Sequence, residues 1–322
     1  MTSGEIFAQI RAAAAEVAWQ ARYVRPHHDR IREYAARLPL AEYERPNYDR
    51  VHHFLGPPRE TASYLLTLDS VNFGSGYFPF LHKRAGMSGY FTIASSLNER
   101  WQTTGPLSGG ELRAMRADAC AILFGQAGNA GPIAELMTLF SHALSDLGAW
   151  LGRRYDDDPL GPIEDAGKSA ARLVDLVTEM PLFRDVSSYR GQEVPLHKWA
   201  QLLVADLALA FDSHGPGEFH DLDQLTIFAD NLVPHVLRVD GLLKYDDDLL
   251  ARIERGELIP AGSPEEIEIR AVALRLVEQI VAEARMAGST RTARELDFLL
   301  WNRGQGTAYK GLPRHRTRTT NY

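Results

Sequence analysis

Two carboxylates in this chain are set among large apolar side chains, where an acid is expensive to keep charged. Asp230 falls within LTIFADNLVPHVLRVDGLLKY, residues 225–245, with Leu225, Ile227, Phe228 and Ala229 before it and Leu232 and Val233 after it. If that stretch is interior, desolvation disfavours the ionised form and raises the pKa, as in carboxylates used for acid, base or nucleophilic work. The same residue also suits a helix cap, because Pro234 follows it and is placed to open or bend a helix. Both readings stand at this stage. Asp297, within LDFLLWN at residues 296–302, is embedded in much the same way.

A third stretch leaves an apolar helix at Asp69 and passes through Asn72 and Phe73 into Gly74-Ser75-Gly76-Tyr77. Such a turn allows backbone to approach a ligand, and it equally allows Asp69 and Asn72 to satisfy a helix end. Its glycines lack the spacing of a dinucleotide fingerprint. Lys198, in HKWAQLLVADL, lies beside apolar neighbours and would suit a phosphate or a polarised hydroxyl. Arg314, His315, Arg316 and Arg318 make a basic tail, either frayed or able to close over an anion. Leu107-Ser108-Gly109-Gly110-Glu111 imitates the signature of transport ATPases, but the chain has no phosphate loop for it to act with. The runs Asp156–Asp158 and Asp246–Asp248 lack the spaced oxygen ligands of a metal loop, and Asp246 reads as a helix cap. No metal and no cofactor is expected.

Helices must position these groups. Thr2 with Glu5, Ser108 with Glu111, Ser263 with Glu266 and Thr292 with Glu295 each have the spacing of a capping box. The first opens an amphipathic helix whose Arg11 and Arg22 face solvent, and a second helix is expected near residues 28–41. Ser108 opens one that runs on through Leu112, Met115, Ala119 and Leu123, and Pro132 starts another with a broad apolar face from Ile133 to Trp150. Ser263 begins the longest helix. Residues 86–106 read as a short strand or helical turns, and a small hairpin fits around Arg190-Gly191. The expected architecture is mainly α, one helical domain over residues 1–322 with few short strands, the first fifty or so residues forming variable N-terminal helices packed on it.

With 322 residues, 45% of them hydrophobic and 24% charged, the composition is that of a globular protein with a sizeable core. A net charge of −7 disfavours a polynucleotide partner, which usually calls for a broad basic surface. No apolar run reaches the ~18 residues of a membrane span, and the N-terminus lacks the pattern of a secretory signal. Cys120 is the single cysteine, in keeping with a reducing compartment. The expected location is cytoplasmic.

Taken together and in order, LDSVNFGSGYF, HKWAQLLVADL, LTIFADNLVPHVLRVDGLLKYDDDLL, ELDFLLWN and PRHRTRT resemble the queuosine salvage family, the queuosine 5′-phosphate N-glycosylase/hydrolases. The resemblance is spread over residues 61–322. It implies an N-glycosylase that cleaves queuosine 5′-monophosphate to queuine and ribose 5-phosphate, on a helical fold similar to helix-hairpin-helix DNA glycosylases. For that reaction Asp230 is the expected catalytic carboxylate, opposite a sugar with oxocarbenium character. The leaving 7-deazapurine lacks the N7 that purine nucleosides protonate. Asp297 would therefore hydrogen-bond the base edge, Phe228 and Phe298 would stack on its faces, and Asp69, Asn72 and Asn302 would read its remaining polar groups. His53, Lys198 and the tail arginines are phosphate or ribose candidates. The rival from another class is a non-catalytic binding protein for a modified nucleobase or nucleotide.

Overall fold

A computed structural model describes residues 4–322, so Thr2 of the first expected capping box lies outside the described residues. In chain order the elements are α1 Glu5–Gln20, β1 Val24–Pro26, α2 Ile31–Arg37, α3 Pro58–Asp69, α4 Gly89–Thr104, α5 Gly109–Arg113, α6 Ala117–Leu123, α7 Pro132–Tyr155, α8 Gly161–Asp165 and α9 Ala170–Val177. There follow β2 Val186–Tyr189, β3 Gln192–Pro195, α10 Lys198–Ala210, α11 Val233–Val239, β4 Leu243–Tyr245, α12 Asp247–Glu254, α13 Pro264–Met286, α14 Ala293–Gly304 and α15 Thr307–Lys310. The protein is mainly α. Its described strands form two antiparallel pairs, β1 with β4 and β2 with β3. No helix among the described residues is long and apolar enough to cross a membrane. The chain divides into two compact units, one comprising the described residues up to Arg45, Val186–Lys198 and Asp221–Arg318, the other Pro46–Asp185, Trp199–His220 and Thr319–Tyr322.

In the first unit, α13 is the element on which the others pack. Ser263 caps it by accepting from the Glu266 amide at 3.3 Å, and Pro264 supplies a first-turn residue that has no amide hydrogen to satisfy. From Glu266 to Leu274 every side chain is buried, as suits a central helix, and from Arg275 onward one face is open while Leu276, Val277, Ile280, Val281 and Ala284 stay buried. The apolar side of α1, with Phe7, Ile10, Ala14 and Val17, packs against it. Arg11 does not simply face solvent, because it pairs with Glu278 at 3.0 Å. The β2–β3 hairpin turns through Arg190 and Gly191, with φ of 51° and 82°, the left-handed pair that suits the twist of its strands. Thr292 and Glu295 form the expected capping box of α14. That helix ends against α11 at Gly304, where a Cβ would lie 2.9 Å from side-chain atoms of Leu232 and Val236. The basic tail is packed down rather than frayed. His315 and Thr317 are buried, and the Ile259 amide donates to the Arg316 carbonyl at 2.9 Å.

Glu268 ties distant parts of this unit to α13. Its Oε2 accepts from the amides of Arg22, Tyr23 and Val24 at 2.9, 2.6 and 3.0 Å, and its Oε1 from the Tyr189 hydroxyl at 2.7 Å. One fully buried carboxylate thereby fixes the α1–β1 connection and the hairpin.

The second unit is built around α7, which at 24 residues exceeds the 23 of α13, against the sequence expectation. Phe140 meets Phe73 and Phe124 edge-on at 5.0 and 5.3 Å. The Ser108–Glu111 capping box is present, but the helix it opens breaks after Arg113 and resumes at Ala117. The break lets α5 and α6 both lie on α7, and α5 approaches so closely at Gly148 that a Cβ there would sit 2.8 Å from the Arg113 nitrogen. Residues 89–104 are a full helix, capped by Ser88, and Cys120 is buried in α6. Asp157 and Asp158 pair with Arg113 and Arg59, so these aspartates brace the surface. In the last residues the Gly74 amide donates to the Tyr322 carbonyl at 3.1 Å and the Trp199 indole to the Thr320 carbonyl at 2.7 Å.

Replacing Glu268 by Ala leaves three backbone amides without this acceptor, the Val24 amide in a buried place, and the expected cost is ~3 kcal/mol in urea denaturation. Tyr189→Phe, which removes one of the four donors, is expected to cost ~1 kcal/mol.

Candidate functional site

The loop of residues 225–232 leads into α11. Leu225 to Ala229 are buried as expected, but Asp230 itself is only half-buried, which corrects the picture of a wholly interior carboxylate. The reason is local. Asp230 Oδ1 accepts from the amides of Leu232 at 2.7 Å and Val233 at 3.2 Å, which holds the side chain at the mouth of α11, short of the core behind it. Capping occupies one carboxylate oxygen, so the structural role of this residue does not preclude a chemical one.

The deeply buried acid is Asp297, on α14 and 5% exposed. Its Oδ1 accepts from the Phe228 amide at 2.9 Å, two residues before Asp230. Burial raises its pKa to about 8, the negative charge of Asp230 adds to the rise, and the Phe228 amide and the charge of Lys198 oppose it. Asp297 is therefore mostly protonated near neutral pH. Lys198, the first residue of α10, is itself buried. The structure thus brings Asp230, Phe228 and Lys198 each within contact or electrostatic reach of Asp297.

Phe228 is almost fully buried, whereas Phe298 is partly exposed. Asn302 is exposed and lies ~140° around α14 from Asp297, so these two do not share a helix face. Among the tail arginines, the protein around Arg314 pushes its guanidinium pKa down while the Asp230 charge holds it up, which puts Arg314 within electrostatic reach of Asp230.

His53, Asp69 and Asn72 belong to the second unit. His53 Nδ1 lies 2.9 Å from the Asp49 carbonyl, which can only accept, so that nitrogen carries the hydrogen and Nε2 accepts from the Tyr90 hydroxyl at 2.7 Å. Burial lowers the His53 pKa, leaving a neutral imidazole rather than a cation. Asp69, fully buried at the end of α3, accepts from the Asn72 amide group at 3.3 Å. The rings of Tyr48, Tyr90 and Tyr64 lie 5.6, 5.7 and 6.5 Å from that of His53. Burial, reinforced by the charges of Asp206 and Asp69, keeps all three phenols protonated.

Asp206 was missed by the sequence reading. Desolvation pushes its carboxyl up to about 7 on a helix that is otherwise apolar from Leu202 to Ala210. The signal that flagged Asp230 and Asp297, an acid alone in an apolar run, was present there too.

Comparison with known proteins places this geometry in context. Residues 52–322 match the family described as Queuosine salvage protein. A protein of Sphaerobacter thermophilus named queuosine 5′-phosphate N-glycosylase/hydrolase is 37% identical over 309 residues, 94% of each chain. Proteins of the same name from Dictyostelium discoideum and Mus musculus are 40% and 33% identical over 158 and 189 residues, about half of each chain. With both carboxylates inside a match that spans most of its length, the chain belongs to the queuosine salvage protein family.

Proposed function

We propose that this protein hydrolyses the N-glycosidic bond of queuosine 5′-phosphate, releasing queuine and ribose 5-phosphate, and that residues 1–322 act as one queuosine-salvage domain. The observation that carries the reading is the pairing of a half-buried Asp230, held by two backbone amides, with a buried Asp297 on α14 that holds the same loop at the Phe228 amide and whose pKa is raised to about 8. Two neighbouring carboxylates in such unlike surroundings, one half-buried and one fully desolvated, are suited to two different roles in one reaction.

As the bond between the anomeric carbon and the base breaks, the sugar gains positive charge, which the Asp230 carboxylate stabilises while orienting water toward that carbon. Oδ1 is held by two backbone amides, which fixes the carboxylate and leaves Oδ2 for the substrate. The departing 7-deazapurine takes electrons from the breaking bond and needs a hydrogen-bond donor or a proton. Protonated Asp297 supplies it, and the water that adds to the sugar loses its proton to restore the acid. Phe228 and Phe298 offer faces for stacking on the base, and Asn302 a polar group at its edge. Lys198 and Arg314 are the cations in reach of the acid pair and suit the 5′-phosphate. Within their own unit, His53, Asp69 and Asn72 are proposed to read polar groups of the ligand, with neutral His53 serving by hydrogen bonding rather than by charge. Net negative charge supports a small nucleotide over a nucleic-acid polymer or a membrane surface as partner, and a lone buried cysteine supports a cytoplasmic setting.

Asp230→Asn is expected to lower kcat for queuine release by ~100-fold or more while the nucleotide still binds. Chromatography of the released base checks this, and turnover at the parental rate would remove Asp230 from the mechanism. For the acid, kcat/KM should fall as pH rises through about 8, where Asp297 loses its proton, and Asp297→Asn should abolish that limb. Stability should report the same group. Between the ordinary carboxylate value near ~4 and the folded value of about 8, the native state holds a proton that the unfolded chain has lost, so stability declines as pH rises across this window. Asp297→Asn, which keeps an acceptor for the Phe228 amide, is expected to gain on the parent by ~4 kcal/mol between pH 5 and pH 9 in urea titrations.

A further inference from the structure

The backbone on either side of Asp230 is held by side chains from two different helices of the first unit. From α14, Asp297 Oδ1 holds the Phe228 amide at 2.9 Å. From α13, the fully buried Arg270 donates through Nε to the Ala229 carbonyl, also at 2.9 Å. Arg270 is in turn set by Glu266, one turn earlier on α13, whose Oε1 lies 3.6 Å from Nη1. Glu266 belongs to the helix start, with its amide on Ser263 Oγ and its Oε2 accepting from the Gly262 amide at 3.2 Å. A buried guanidinium is costly to keep, and its planar fork is more directional than an ammonium. Stability alone gives little reason to place a buried guanidinium against this loop, since an apolar residue of similar volume would often serve as well.

We infer that Arg270 is a positioning residue for the hydrolysis, fixing the Ala229–Asp230 peptide so that the Asp230 carboxylate meets the anomeric carbon at a set distance, with Glu266 holding the guanidinium in register. Arg270 touches neither base nor sugar in this reading. It acts through one peptide unit, on the residue whose displacement the reaction tolerates least. Errors of about an ångström in placing a reacting group can cost ~100-fold in rate. This inference rests on the role proposed for Asp230.

The test uses Arg270→Lys, which keeps the charge but loses the fork, and Glu266→Gln, which keeps Arg270 but loosens it. Each is assayed for kcat and KM on queuosine 5′-phosphate, alone and combined with Asp230→Asn. A thermal melt verifies folding. Arg270→Lys is expected to lower kcat by ~10- to 100-fold with KM changed by less than about threefold, and Glu266→Gln to lower kcat by a smaller factor in the same pattern. In the Asp230→Asn background neither should lower the residual rate further, because the group they position is already gone. A folded Arg270→Lys protein with kcat within about twofold of the parent overturns the inference, as does a loss that multiplies with that of Asp230→Asn. If Arg270→Lys does not fold, Glu266→Gln decides by the same criteria. Failure of the underlying reading looks different, since Asp230→Asn would then turn over like the parent whatever the Arg270 variants do.

Discussion

A carboxyl group cut off from water cannot be ionised cheaply, and Asp297 is the point at which this constraint shapes the first unit. Burial and the neighbouring charge of Asp230 push it toward the neutral acid, while the Phe228 amide and Lys198 pull the other way. The acid remains protonated near neutral pH yet is still a good acceptor for one backbone amide. That single bond fixes the loop that carries Asp230 to the helix that carries Asp297. The Asp297 carboxyl is thereby tied to the main chain two residues before Asp230. Preorganisation of this kind is what electrostatic stabilisation of a developing charge calls for.

The rigidity behind that bond comes from α13. Three buried polar residues at alternate positions, Glu266, Glu268 and Arg270, each hold backbone: Glu266 that of Gly262 at the start of its own helix, Glu268 that of Arg22 to Val24, and Arg270 that of Ala229. Their neighbours Ile267, Ile269 and Ala271 are buried apolar residues. Side chains two apart point to well-separated directions on a helix, so one central element can hold the N-terminal connection on one side and the Asp230 loop on another. Apolar packing gives the helix its place, and the polar residues give the surrounding chain its register.

A second knot closes the far end of α11. Asp240 accepts from the hydroxyls of Tyr34 and Tyr309, each at 2.6 Å, and lies 3.4 Å from the Arg303 guanidinium. The His235 ring meets the Tyr309 carbonyl at 2.9 Å, and Arg238 donates to the Pro313 carbonyl at the same distance. α2, α14 and the tail are thereby attached to the helix whose first turn Asp230 caps. The tail is held by the Arg238 bond to Pro313, by its pairing with Ile259 and by the Arg316 guanidinium, which donates to the Gly256 carbonyl at 2.8 Å.

Much of this was legible in the chain. Capping residues at Ser108, Ser263 and Thr292, the Arg190-Gly191 turn, the Asp246 cap and the apolar face of α7 are local signals, carried by residues a few positions apart, and they marked the elements correctly. Five segments in order likewise carried the family. The break between α5 and α6 was not legible, because it answers to a close approach at Gly148 that no local pattern encodes. Nor could the sequence say which of two similarly embedded acids was buried. Asp230 turns out at a helix mouth and Asp297 lies inside, and their exposure and the partner that holds the second depend on residues 69 positions apart in the chain. Local hydrogen-bonding preference and periodicity are written residue by residue, whereas desolvation is a property of everything packed around an atom. For that reason the sequence by itself determined most of the helices, the family and the two acids to compare, and only the tertiary structure decided which acid is desolvated and how its neighbour is held.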